Sequence, residues 1–248
     1  MAMPSIELIA LATVLLVFSA VSLWKKSLDL KGVIVALIVG ITSYIFGGIS
    51  AFIALLAFFV VGELATRLAR SRYKKEHETR SIGNILGNSL APIIALIASS
   101  LNGGDNFYFF AGISAALADT LSSEIGLLSK KKPRLITNWK EVEPGTDGGI
   151  TLLGLIASLF GAIIIGIVGI FFQFIQYNVF DIFSLAIITI SGFLGSIADS
   201  FLGATLQKRK IIGNNGVNFL ATAIAIIAAM ILVAAYILLV VGPALQGF

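Results

Sequence analysis

Apolar runs of about 20 residues recur along nearly the whole chain, and this recurrence limits the fold more than any single motif. A helix of roughly 20 residues crosses about 30 Å of hydrocarbon while satisfying its own backbone hydrogen bonds. Read as helices, the runs fall at about 4–24, 31–49, 50–69, 84–101, 106–128, 149–173, 180–206 and 216–242. With 58% hydrophobic and 12% charged residues, the composition lies outside the range of a soluble domain. The expected fold is all-α: a polytopic membrane bundle of about eight spans forming one transmembrane domain over residues 1–248. The fourth span carries Asn88 and Pro92 and is expected to be broken or re-entrant.

The chain has no cysteine, which excludes disulfides, thiolate metal sites and cysteine nucleophiles. Its one histidine, His77, sits in the charged stretch RSRYKKEHETR and reads as a solvated loop residue. The first apolar run has no basic segment before it and no small-residue cleavage site, so it is expected to be a retained helix.

Eight spans put all 17 Lys and Arg on one side of the membrane, in loops at about 25–31, 70–83, 129–148 and 207–215 and at adjoining span ends. The positive-inside bias makes that side cytoplasmic and places both termini outside. The net charge of +4 therefore describes one basic surface, suited to lipid headgroups, and no motif for reading nucleic acid accompanies it.

Of the 13 acidic residues nine lie in loops or at span ends; the exceptions are Glu63, Asp119, Glu124 and Asp199. A carboxylate at mid-span costs about 2.5–3.5 kcal/mol on insertion scales, so each is expected to face protein or a wet cavity and to mark a functional position. At 1.5 Å per residue all four lie within roughly 6–17 Å of the basic face. A site open to one side suits an enzyme taking a polar substrate from the cytoplasm and a lipid from the bilayer, whereas a transporter needs a route to both sides.

Glu63 lies one turn before Arg67 and is expected to pair with it. Asp119 and Asp199 stand in similar surroundings, GISAALADT and GFLGSIADS, on spans expected to run in the same direction. Ser123 is one turn beyond Asp119 and shares its face, while Glu124 sits to one side. Paired aspartates on facing helices suit Mg²⁺, a hard cation that takes oxygen ligands and shares them with substrate phosphates. Without cysteine, zinc is disfavoured.

Phosphate-handling groups lie on the same side. The segment SKKKPRLITNWKEVEPGTDGGITLLG combines cations, including Arg134 and Lys140, with Thr146, Asp147, Gly148 and Gly149 at the expected start of a helix. There, free backbone N–H groups would favour an anion, or Thr146 or Asp147 would cap the helix. Asn84, Asn88, Asn214, Asn215 and Asn218, at the ends of spans four and eight, add amides able to contact phosphate or base without adding charge.

Four blocks, NILGNSLAPIIAL, AALADTLSSEIG, PRLITNWKEVEPGTDGGITLLG and GFLGSIADSFLGATLQ, in this order and spacing, resemble the phytyl-phosphate kinase family of the vitamin E pathway and its transmembrane homologues in archaea, bacteria and animals. The resemblance extends from about Lys26 to Asn218. In the family pattern the residue after the asparagine matching Asn88 is usually glycine; here it is Ser89.

The resemblance implies phosphorylation of a prenyl monophosphate, phytyl- or geranylgeranyl-like, to its diphosphate by a nucleoside triphosphate. CTP is the expected donor, since related lipid kinases acting on phytol and dolichol use it. It implies as site residues Asp119, Ser123, Glu124, Arg134, Thr146, Asp147, Gly148, Gly149 and Asp199, joined by Asn84 and Asn88. Asp119, Asp199 and Glu124 are expected to be catalytic and to hold Mg²⁺, with Lys140 and Asn218 among the substrate-binding groups. The apolar walls of spans two to five are expected to hold the prenyl tail.

A CTP-using lipid nucleotidyltransferase would employ the same parts, and a secondary transporter of a small anion is the alternative from another class. Prenyl length, metal count and oligomeric state are left open by the sequence, which is compatible with a homo-oligomer.

Overall fold

The computed structural model describes residues 5–73, 80–178 and 181–241. Seven α-helices make up most of it: α1 (Ser5–Trp24), α2 (Leu30–Tyr73), α3 (Ile82–Leu101), α4 (Phe107–Gly126), α5 (Leu152–Tyr177), α6 (Ile182–Leu202) and α7 (Asn214–Tyr236). Short π-helical turns continue α6 at Gly203–Gln207 and α7 at Ile237–Val241. Two-residue strands, β1 (Arg134–Leu135) and β2 (Gly149–Ile150), pair antiparallel in the loop between α4 and α5. His77, Lys74 and Lys75 lie outside the described residues.

Helix α2 contains 44 residues with a break at Gly48, whose backbone adopts φ 66°, ψ −162°, a region open essentially only to glycine. The chain doubles back there. Ser27, just before α2, donates a hydrogen bond of 2.6 Å to Glu63, although 36 residues of straight helix would separate them by about 54 Å. The arms 30–47 and 49–73 are therefore antiparallel, and they correspond to the expected spans 31–49 and 50–69. Asn106, at the start of α4, donates through Nδ2 to the Gly47 carbonyl at 2.6 Å and to Ser50 Oγ at 2.8 Å, so a backbone acceptor at the reversal is not left bare.

Among the described residues five helices, α2, α3, α5, α6 and α7, are long and apolar enough to cross a membrane. Eight crossings follow only if the arms of α2 count separately and α1 and α4 cross as well. Large apolar side chains point outward: Ile34, Ile38, Ile41 and Ile45 follow one exposed face of α2. Inside, small and hydroxyl residues, including Ala115, Ala118, Ser114, Ser191 and Ser196, are interleaved with buried Phe109, Ile113 and Leu117. Lipid is as apolar as leucine, so close packing of small residues holds such helices together.

Helix α4 is the centre of the bundle, buried on all sides from Phe109 to Ala118 and packed against α2, α3, α5, α6 and α7. A Cβ on Gly161 of α5 would stand 3.0 Å from Ala118, one on Gly169 would meet Phe110, and one on Gly112 of α4 itself would lie 2.7 Å from Pro92 of α3. Gly112 thus accommodates the proline ring. This bears on the fourth span: α3 is continuous through Asn88 and Pro92, neither broken nor re-entrant. Asn88 Nδ2 donates to the Asn84 carbonyl at 2.9 Å and Ser89 Oγ to the Ile85 carbonyl at 2.7 Å, so these polar side chains are satisfied within the helix. Ser89 is simply a buried helical residue.

Helices α4 and α6 run parallel and in register. Gly192 lies against Ser114, and Gly195 against Ala115 and, on α7, Ala225. Replacing Gly192 with valine is expected to abolish the folded state, because even its Cβ would overlap Ser114, whereas Gly213→Ala, with open space around it, should be tolerated. Thermal unfolding of both variants in detergent checks this.

Candidate active site

At the end of the bundle where the basic loops emerge lies a cavity of about 800 Å³. The C-terminal ends of α4 and α6 bring Asp119, Ser123, Glu124 and Asp199 to it, and the N-terminal ends of α3 and α7 bring Asn84, Asn88, Asn214 and Asn218. Thr146, Asp147, Gly148 and Gly149 enter from the α4–α5 loop. Two of the expected residues are not among its walls. Arg134 and Lys140 are exposed on the outer side of that loop, where Arg134 pairs with Glu141 at 3.2 Å.

The in-register packing of α4 on α6 sets Asp119 opposite Asp199, and their half-buried carboxyl groups contact each other directly. Asp199 is further positioned by a chain of amides. In the amide orientation that satisfies all its neighbours, Asn218 donates to Asp199 Oδ2 and to the Asn214 carbonyl, each at 3.2 Å, and accepts from Asn88 Nδ2 at 3.1 Å. Gly83 and Gly87 let α3 approach α7 closely enough for this chain to form. Asn84 instead engages Ser81, the N-cap of α3, whose hydroxyl donates to Asn84 Oδ1 at 2.8 Å.

Glu124 is held differently from the aspartates. Its Oε1 accepts from Thr66 Oγ1 at 3.1 Å, and its Oε2 is buried with no partner among the described residues. Ser123 is exposed, its hydroxyl donating to the Thr120 carbonyl at 3.1 Å. Glu63 pairs with Arg67 at 2.8 Å as expected, with Ser27 completing the cluster. It is a tie between the α1–α2 loop and the second arm of α2 rather than part of the aspartate pair.

Residues 146–149 do not form a helix start. Gly149 and Ile150 pair with Leu135 and Arg134, which delays α5 to Leu152, and Thr151 caps it by accepting from the Gly154 N–H at 3.0 Å. The expected cap at Thr146 or Asp147 is thereby corrected. Gly148 has φ 75°, and a Cβ there would stand 2.6 Å from the Ser200 carbonyl and the Ala204 nitrogen. Only glycine lets the turn settle on the end of α6, and this close approach brings the Asp147 charge within reach of Asp199.

Among the described residues no group of three or more His, Cys, Asp or Glu is arranged to hold a metal unaided. Two adjacent carboxylates beside a polar cavity suit Mg²⁺, which completes its shell with water and phosphate oxygens; an all-oxygen pair with no histidine or thiolate does not suit zinc.

Sequence reasoning placed Arg80 and Thr66 in no site, yet both line the cavity. Arg80 reads as one more base of a charged loop, and its position just before the α3 cap is the one available signal. The apolar lining follows expectation except for one residue. It comes mainly from the two arms of α2, the expected spans two and three, through Val39, Gly40, Leu55, Phe58 and Phe59, and Phe18 of α1 joins them. The expectation of spans two to five omitted only this contribution from α1.

Residues 13–226 match the family described as integral membrane protein DUF92. The chain is 40% identical to an uncharacterized membrane protein of Methanocaldococcus jannaschii, over 80% of this chain and 83% of that one. It is 30% identical to protein PGR of Arabidopsis thaliana over 79% of this chain and 86% of that protein. Chloroplastic protein VTE6 of the same plant is 28% identical over 90% of this chain and 71% of its own length. No solved structure matches. With most of its length matched and relatives similar along most of theirs, this multi-pass membrane protein belongs to the DUF92 family.

Proposed function

We propose that this protein is a membrane-embedded, Mg²⁺-dependent prenyl-phosphate kinase that transfers a phosphoryl group from a nucleoside triphosphate, CTP by preference, to a prenyl monophosphate. The observation that carries this reading is the paired Asp119 and Asp199 at one end of a cavity whose other part is apolar. A phosphate-bearing lipid needs both environments in one continuous space. The resemblance of the four sequence blocks to phytyl-phosphate kinases, and the similarity to VTE6 along most of the chain, support the same reading.

The acceptor is a phosphate monoester with a second pKa of about 6, so its oxygen is anionic at neutral pH without a strong protein base. That oxygen forms the new bond to the γ-phosphorus as the bond to the β–γ bridging oxygen breaks, and the nucleoside diphosphate leaves with that electron pair. The protein's task is to align two polyanions and balance their charge. Asp119 and Asp199 would hold Mg²⁺, which neutralises charge on the triphosphate. Asn88 and Asn218 keep Asp199 oriented, and Glu124, with one oxygen unpartnered, would bind a second ion or its water. The loop at Thr146–Gly149 faces the same space; the Thr146 hydroxyl and the N–H groups of Thr146 and Gly149 are taken up within the turn, so the N–H groups of Asp147 and Gly148 would be its donors for phosphate.

The basic loops and the cavity mouth would face the cytoplasm. The cysteine-free chain allows a direct check, since Lys131 and Asp105 are exposed at opposite ends of the bundle. An impermeant maleimide should label Lys131→Cys only from the cytoplasmic side and Asp105→Cys only from the other.

Purified protein incubated with prenyl monophosphates, each triphosphate and Mg²⁺ should yield prenyl diphosphate and a nucleoside diphosphate. Released pyrophosphate would point to nucleotidyl transfer instead, and nucleotide-independent uptake into proteoliposomes to transport. Asp119→Asn and Asp199→Asn should each lower turnover by about a hundredfold or more with folding retained, and chelation of Mg²⁺ should stop it. Normal turnover in either variant would remove the metal assignment.

A further inference from the structure

Arg70 and Arg80 both line the cavity, and the proposed mechanism gives Arg80 no task. Arg80 directly precedes Ser81, the α3 cap, and its backbone N–H donates to the Ser27 carbonyl at 3.0 Å. Its side chain turns inward over Gly62: Nη2 lies 3.0 Å from where a Gly62 Cβ would stand, and the Thr120 methyl is 3.3 Å from the same point. The guanidinium therefore lies between the second arm of α2 and α4, beside the residue that follows Asp119. Its centre is 5.7 Å from each of the Phe58 and Phe59 rings.

Those rings steady the cation through their faces but take none of its five N–H donors as a carboxylate would. Among the described residues Arg80 makes no ion pair and no side-chain hydrogen bond. Burial draws its pKa down, and the charges of Glu63 and Glu124 push it back up. Glu63, however, is already bound to Arg67 and Ser27. A guanidinium with its donors unspent inside a cavity is built for an anion.

Its position indicates which one. Arg80 stands at the seam between the polar part of the cavity and the apolar cleft of α1 and α2. That cleft lies at the edge of the bundle, where α1 packs on α2 and Phe18 meets Phe59 edge to face at 4.7 Å. We propose that Arg80 binds the monophosphate of the lipid acceptor and that the acceptor's hydrocarbon lies in the α1–α2 cleft, entered sideways from the bilayer. This deepens the kinase reading and rests on it for the identity of the lipid.

The test is calorimetric binding to the full chain in detergent, with geranylgeranyl monophosphate, geranylgeraniol and Mg²⁺–CTP as probes. Wild-type protein should bind the monophosphate more tightly than the alcohol. Arg80→Gln should weaken monophosphate binding about ten- to a hundredfold while leaving the alcohol and CTP unchanged. Arg80→Lys should recover part of the loss, since it restores charge but not the two-pronged geometry. Gly62→Ala, a helix-favouring change whose methyl would displace the guanidinium, should weaken the monophosphate alone, and it serves if Arg80→Gln fails to fold. Unchanged monophosphate binding in Arg80→Gln or Gly62→Ala, or a loss of CTP binding in its place, would overturn the proposal, as would a wild-type protein that does not distinguish phosphate from alcohol. Arg80-dependent binding without any diphosphate product would support this assignment and end the kinase reading.

Discussion

The contact between α4 and α6 decides where the chemistry can be. Gly192 and Gly195 remove the side chains that would hold the two helices apart, and the helices settle in parallel register against Ser114 and Ala115. One further turn in the same register brings two aspartates face to face. Each carries an insertion cost of about 2.5–3.5 kcal/mol if placed at mid-membrane, and bringing like charges together adds to it. Small residues in the middle of the helices thus make possible a costly arrangement at their ends. The same residues leave α4 free to be surrounded by five other helices.

Around that pair the polar groups are arranged to orient rather than neutralise. Asn218, itself held by Asn88, donates to Asp199 without adding charge, and Thr66 does the same for Glu124. No cation forms an ion pair with Asp119, Asp199 or Glu124 among the described residues: Arg67 is committed to Glu63, Lys132 and Arg134 to loop glutamates, and Arg80 acts on Glu124 only through its charge. Carboxylates without an ion pair to the protein's own cations can still accept a cation from outside. The turn at Gly148 completes the wall by lying against the last turn of α6, where a π-helical segment follows. Such irregular turns commonly accompany functional sites, since they shift side chains out of helical register.

Much of this was legible in the sequence because membrane insertion makes it so. Apolar run length predicts helices, and a carboxylate inside a run marks a site, since lipid tolerates neither an unpaired backbone nor a stray charge. The repeated Gly-to-Asp pattern likewise pointed to Asp119 and Asp199 as counterparts. Short-range geometry was less readable. Asn88 and Pro92 suggested a break, but Gly112 on a neighbouring helix makes room for the proline ring. The loop glycines suggested a helix start, but pairing with the strand at Arg134 and Leu135 claimed them first.

By itself the sequence determined that this chain is a helical membrane protein with acids near one basic face, because hydrophobic length and charge are local properties. Only the tertiary structure decided which of those groups meet: Asp119 with Asp199, Glu63 with Arg67, Asn88 with Asn218, and Arg80 with the aromatic seam of α2. It also decided which do not, leaving Arg134 and Lys140 outside the cavity. The reason is that meeting depends on helix register and on the small residues that set interhelical distance, and these are properties of pairs of segments far apart in the chain.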